Sequence, residues 1–272
     1  MSHEMTHAIP LPRTGHYRVN NILKSELVKI LTLRSTAITL GLTVLASVLV
    51  TGLVTNADGH HQPGYYGGFD PTQQSLTGMI IAALTLGVFG VLLISSEYSS
   101  GTIRTTLAAS PKRPLLLATK IGITAAITIV FCELLSFLTF FIGQAILSGG
   151  GAPSATLGSP GALRAVVLTG LFISLLALMS FGFAVMFRNT AASIAAFAGV
   201  VFVLPLVMHS ISESAVRLLP SNILVNSITS TVNQGPVGPN GPLSPAVGFV
   251  LMAVYSAIAL AAGTVFFFRR DA

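Results

Sequence analysis

Long apolar runs separated by short polar connections organise this chain. Runs close to the roughly 20 residues that a bilayer crossing requires lie at 36–54, 76–95, 116–147, 165–187, 191–208 and 246–268. Each predicts a membrane-spanning helix, so the expected fold is all-α: a polytopic membrane protein with six transmembrane helices. The third run exceeds one crossing, which predicts a tilted helix or one whose first turns continue the preceding connection. Residues 21–34 follow a different rhythm. There Ile22, Leu23, Leu27, Ile30, Leu31 and Leu33 interleave with Lys24, Glu26, Lys29 and Arg34. This is the pattern of an amphipathic helix lying in the membrane interface as an elbow into the first span. Residues 1–20 are polar, contain Pro10 and Pro12, and lack the apolar core of a secretory signal. They are expected to form a flexible cytoplasmic tail, with 21–272 as a single transmembrane domain.

Composition agrees with this pattern. Only 8% of the residues are charged and 52% are hydrophobic, with a mean hydropathy of +0.82, whereas soluble domains carry about 25% charge. The net charge of +6 belongs to residues flanking the spans and not to a separate basic domain, which argues against a nucleic-acid partner. Of the 14 Lys and Arg residues, only Arg164 and Arg217 fall in the connections after the first, third and fifth runs. The bias places those connections outside and both termini in the cytoplasm. Cys132, the single cysteine, lies inside an apolar run with no disulfide partner.

The outer connections differ in character. Asp58, His60 and His61 could offer metal ligands, but nothing preorganises them in a Gly-rich loop, and no metal site is expected. His3-Glu4-Met5-Thr6-His7 spells a zinc-protease pattern without the anchored helix, third ligand or cleft that this chemistry needs. Residues 149–161 read as a Gly/Ser/Pro linker. The connection 209–245 carries Leu218, Leu219, Ile223, Leu224, Val225 and Ile228, too apolar for a solvated loop. It is expected to be partly re-entrant, dipping into the membrane or packing on the outer mouth of the bundle.

The densest polar stretch between two runs is EYSSGTIRTTLAASPKRPLLLATK, from Glu97 to Lys120. Ser99 and Ser100 can cap a short helix over 101–109 that Pro111 stops. Ile103 and Leu107 would share one face, with Arg104 beside them. Too short to cross a bilayer, such a helix would lie at the membrane surface, held at both ends by spans. An acidic residue, Gly-Thr, a short helix, then Pro and basic residues, here Glu97, Gly101, Thr102, Leu107, Pro111, Lys112 and Arg113, resembles the cytoplasmic loop of type-2 permeases of ATP-binding-cassette (ABC) transporters. The elbow, the six spans and the long fifth outer connection extend the resemblance over nearly the whole chain.

The resemblance implies the membrane subunit of a bacterial plasma-membrane ABC exporter. Two copies of a separate ATPase would hold the ATP and Mg, and a second permease subunit would join as a homodimer or heterodimer. The 101–109 helix would dock on the ATPase through Glu97, Gly101, Thr102, Ile103, Arg104, Leu107, Pro111 and Arg113, with the turn at Arg188 as a second contact. The chain itself has no GxxxxGK[ST] loop for ATP and no GxSxG elbow, so it is expected to be no enzyme and to carry no cofactor. A sparsely charged interior suggests an amphipathic or hydrophobic substrate: a drug, lipid or peptide-like metabolite. Glu133, the one acid well inside a span, is either a substrate-path acid or a neutral acid fastening helices. It keeps two alternatives open, a proton-coupled secondary transporter and a membrane protein that transports nothing.

Overall fold

Asp70 and Pro71 begin the second crossing five residues before the apolar run suggests. In the computed structural model, which describes residues 27, 28, 30, 32–58, 68–102, 113–230 and 243–270, Asp70 Oδ1 accepts from the backbone N–H groups of Thr72 and Gln73 at 3.0 and 3.2 Å. An aspartate at the N-cap followed by proline at the first helical position is a strong local start signal. Helix α1 spans Arg34–Asp58, α2 Pro71–Leu76, α3 Met79–Ser99, α4 Arg113–Gly149 and α5 Ala162–Phe187. Beyond these come α6 (Thr190–Ala198), a π-helical turn (Gly199–Val203), α7 (Leu204–His209), α8 (Glu213–Val216), α9 (Pro220–Ile228) and α10 (Pro245–Arg270). Among the described residues, six stretches are long and apolar enough to cross a membrane: α1, α2 with α3, α4, α5, α6 through α7, and α10. Of the elbow expected over 21–34, residues 27, 28, 30 and 32 are helical, residue 33 is not, Arg34 opens α1, and residues 21–26, 29 and 31 lie outside the described residues.

Helix α5 is the hub, buried along most of its length and packed against α3, α4 and α10. Glycines let these backbones meet. A methyl group at Gly90 of α3 would collide with the Ala177 carbonyl of α5, and one at Gly182 of α5 would lie 2.6 Å from the Ala259 carbonyl carbon of α10. Between apolar helices in lipid, such close contact supplies the attraction that hydrophobic burial cannot. Gly87 of α3 receives the ring of Phe197 from α6, so this glycine serves packing within the chain. Gly199, by contrast, faces no neighbour within 4 Å.

Helix α1 is apolar outside and hydroxylated inside. Its buried residues are Thr36, Thr43, Ser47, Thr51 and Thr55, while Ile38, Leu42, Leu45, Leu49 and Leu53 are exposed. The last four hydroxyl residues recur every fourth position, which sets them on one face. Thr43 donates to Thr85 Oγ1 at 3.0 Å and Thr51 to the Ser75 carbonyl at 3.2 Å. The fifth crossing is interrupted where Pro205 lacks an N–H and crowds the preceding turn, and the π-helical turn just before it absorbs the mismatch.

At the end away from Glu97, the fifth connection folds back on the bundle. Ile223, Leu224, Ser227 and Ile228 of α9 are buried, and Ile223 lies over Gly248 of α10. Ser230 donates from both its N–H and its hydroxyl to Asp70, at 2.7 and 2.9 Å. Arg164 donates to the carbonyls of Thr229 and Ser230, both at 3.0 Å. Gln144 joins the neighbouring segment, donating to the Pro71 carbonyl and Ser75 Oγ at 3.0 Å while accepting from Ala155 N–H at 2.6 Å.

Candidate functional site at the basic end of the bundle

The opposite end gathers the last turns of α3, α5 and α10 with the first turns of α1, α4 and α6. Val91, Ile94, Leu117, Phe181, Ala184, Val185 and Phe267 form a separate apolar cluster there. Arg34, Lys120, Arg188 and Arg269 lie at this end. The Glu97–Lys120 connection therefore leaves and re-enters a packed platform.

Glu97 sits in the last turn of α3, not at the start of a surface helix. Its carboxylate is turned into the bundle, where Oε1 accepts from Lys120 Nζ at 2.6 Å. Both side chains are buried, at 4% and 6% exposure. The acid thereby joins α3 to α4. Ser99 and Ser100 follow it. Their hydroxyls donate back to the Ser96 carbonyl at 3.1 and 2.8 Å, at the C-terminus of α3. Gly101 then turns the chain with φ +71°, and Ser100 and Thr102 hydroxyls lie 2.9 Å apart. Arg113 opens α4; Ile103, Arg104, Leu107 and Pro111 lie outside the described residues.

Arg188 meets the same connection from the other side. Its guanidinium lies 5.4 Å from the centroid of the Tyr98 ring, within range of a cation–π contact. Arg188 holds φ 55° and ψ 17°, the single positive φ of a non-glycine residue among the described residues. A left-handed residue closing a helix is usually glycine, so an arginine here accepts strain in return for its side chain. Asn189 caps α6 immediately afterwards, its Oδ1 accepting from Ala192 N–H at 3.0 Å.

Glu133 stands apart from this cluster. It is half-buried in α4 against α5, and a methyl group at Gly170 would lie 2.6 Å from its Oε1. That oxygen is buried without a hydrogen-bond partner. Cys132 is buried beside it. Phe140 is buried while Phe141 is exposed, so the phenylalanines of this helix divide between core and outer surface. His3, Glu4, His7, His60 and His61 lie outside the described residues.

Sequence reasoning missed Lys120 as a partner, Tyr98 as a platform and Asp70 as a latch. One signal was available: Lys120 is a cation inside the apolar run 116–147, where a charge calls for a partner.

Comparison with known proteins bears on what this platform serves. Comparison with curated proteins finds no match. The sequence profile described as ABC-2 family transporter protein matches residues 22–208, which covers the first five crossings and the whole Glu97–Lys120 connection. Most of the chain is thus accounted for by one family, and the protein belongs to the ABC-2 family of transporter membrane proteins.

Proposed function

We propose that this ABC-2 permease is the membrane subunit of a bacterial exporter. It would lie in the plasma membrane with both termini cytoplasmic and move an amphipathic or hydrophobic substrate with energy from a separate ATPase. Two permease subunits, identical or related, would form the path, and two ATPase copies holding ATP and Mg would drive it. The observation that carries this reading is the platform beneath the connection. The two helices that bear the 101–109 segment are fastened by the Glu97–Lys120 pair, and the α5–α6 turn is joined to α3 through Arg188 and Tyr98. A push on 101–109 would therefore reach α3, α4 and α5 together. Ile103, Arg104, Leu107 and Pro111 are the proposed docking residues. Gly101, Thr102, Arg113 and Arg188 would border them, and Glu97 acts by positioning.

Inward- and outward-open states would each be favoured by a different nucleotide state of the ATPase. Glu133 is the proposed substrate-path acid, supported by the buried, unpartnered oxygen beside Gly170. The test is co-purification of the chain with a candidate ATPase, a protein with a Walker A motif encoded beside it. Substrate-stimulated ATP hydrolysis would be compared between wild type and Arg104→Ala. Association and stimulation should both fall in the variant. A folded chain that binds no ATPase and still transports would sink the reading.

A further inference from the structure

Glu133 lies near the midpoint of α4, whereas the other acidic residues described, Asp58, Asp70, Glu97 and Glu213, lie at helix ends. Its carboxyl is set against α5, where Gly170 leaves the room: a methyl group there would lie 2.6 Å from Oε1 and 2.8 Å from the carboxyl carbon. A polar group that fastens helices spends its atoms on the facing segments, as Gln144 does with Pro71, Ser75 and Ala155. Glu133 does not. Its carboxyl meets the Leu171 backbone, yet Oε1 is buried with no hydrogen-bond partner. The cations on the same two helices are distant or engaged. Lys120 stands about 20 Å away along α4. Arg164 precedes Gly170 by about 9 Å along α5 and donates to the carbonyls of Thr229 and Ser230. The acid can also be reached from outside the bundle. Glu133 is half-buried, its neighbours Val130 and Leu134 are 59% and 67% exposed, and Phe137 and Leu171 are partly exposed. Val130 and Phe137 stand about one turn to either side of the acid, so apolar surface continues above and below it.

We propose that Glu133 binds a lipophilic ammonium with apolar arms on both sides of its nitrogen, a secondary or tertiary amine in its protonated form. The nitrogen donates to the carboxylate, and the arms follow Val130 and Phe137 along the outside of α4. Charge selects a cation. In hydrocarbon either charge alone is costly, so an acid without a counter-charge favours a ligand that brings one. Hydrogen bonding then separates the cations, because a carboxylate accepts from an N–H and a quaternary ammonium has none to give. Position selects the shape. An amphiphile charged at one end would cover only one of the two apolar turns that flank the acid. The inference rests on Glu133 as the substrate-path acid and names its class of substrate. Its test uses the chain without an ATPase, so it can fail while ATPase coupling stands.

The purified chain, in vesicles of dioleoylphosphatidylcholine, is treated with dicyclohexylcarbodiimide, an apolar reagent that reaches carboxylic acids from the bilayer. The acid O–H adds across one C=N bond and the acyl group then moves to nitrogen, leaving a stable N-acylurea. A carboxylate held by an ammonium does not react. Peptide mass spectrometry should find the adduct on Glu133 and lose it in Glu133→Gln. Dioctylammonium should protect Glu133 at a concentration about tenfold lower than dioctyldimethylammonium needs, the scale of one charge-assisted hydrogen bond. Dioctyl ether, of the same shape without charge, should not protect. Both cations charge the vesicle surface alike, so the difference between them reads the N–H. Absence of an adduct on wild-type Glu133, equal protection by the two cations, or protection by the ether would each overturn the proposal.

Discussion

Lys120 reaches across from α4 to place its ammonium 2.6 Å from Glu97 Oε1 at the end of α3, with both side chains buried. Two charges out of water are tolerable only as a pair. Lys120→Met or Glu97→Ala should therefore destabilise the chain by about 3–5 kcal/mol, because each strands the opposite charge. Glu97→Leu combined with Lys120→Met should recover most of that loss. Thermal unfolding in detergent checks both; a double variant as unstable as the sum of the singles would contradict a paired role.

The strained turn at Arg188 gives a separate expectation. Arg188→Gly keeps the left-handed turn but relieves its cost to a non-glycine residue, about 1 kcal/mol or more, and it also removes a cation–π contact worth about 0.5–1 kcal/mol. Stability should change little, while substrate-stimulated ATP hydrolysis with the partner ATPase should fall. Unaltered coupling in this variant would show that the arginine is a packing residue alone.

Glycines in the spans divide into two kinds. Gly90→Ala drives a methyl group into the Ala177 backbone, which cannot turn aside as a side chain can, and should cost about 1–3 kcal/mol. Gly122→Ala, with nothing within 4 Å, should be neutral or gain about 0.5–1 kcal/mol from reduced backbone freedom. Melting temperatures of the two variants in the same detergent decide the ordering.

Asp70 performs two tasks with one carboxylate. Asp70→Asn retains a carbonyl oxygen to cap α2 but puts an amide donor where Ser230 N–H now donates to Oδ2. The helix start should survive while residues around Ser230 loosen. Amide exchange should accelerate at Ser230 and stay slow in α2; equal protection at both places would mean that the latch has no energetic role.

The six crossings were legible because a bilayer imposes a length that few other structures need, and each apolar run met it. The pairing of Glu97 was not, because a charge at the edge of an apolar run reads as surface. Only the facing helix shows that it turns inward toward Lys120. Helix α1 hid its packing face for the opposite reason. Thr43, Ser47, Thr51 and Thr55 look like mild interruptions in an apolar run, yet they form the buried stripe, since in lipid the small polar residues mediate helix contact. In the fifth connection, the apolar content of α9 announced burial of Ile223, Leu224 and Ile228, whereas Val225 of the same helix is exposed. Apolar residues on a short helix cannot all face the bundle.

The central claim is that the connection after Glu97 receives an ATPase. Thr102 is exposed at its start, and the chain's one native cysteine, Cys132, is buried. Thr102→Cys in a Cys132→Ala background can therefore be labelled with a maleimide carrying a short photoreactive benzophenone and crosslinked by light, through C–H insertion, to the proposed ATPase co-expressed in native membranes. The account predicts a crosslinked band that contains both chains, changes in yield with ATP, and is lost in Arg104→Ala. An introduced thiol that reacts freely with maleimide yet never captures the ATPase, in membranes where transport continues, would contradict it.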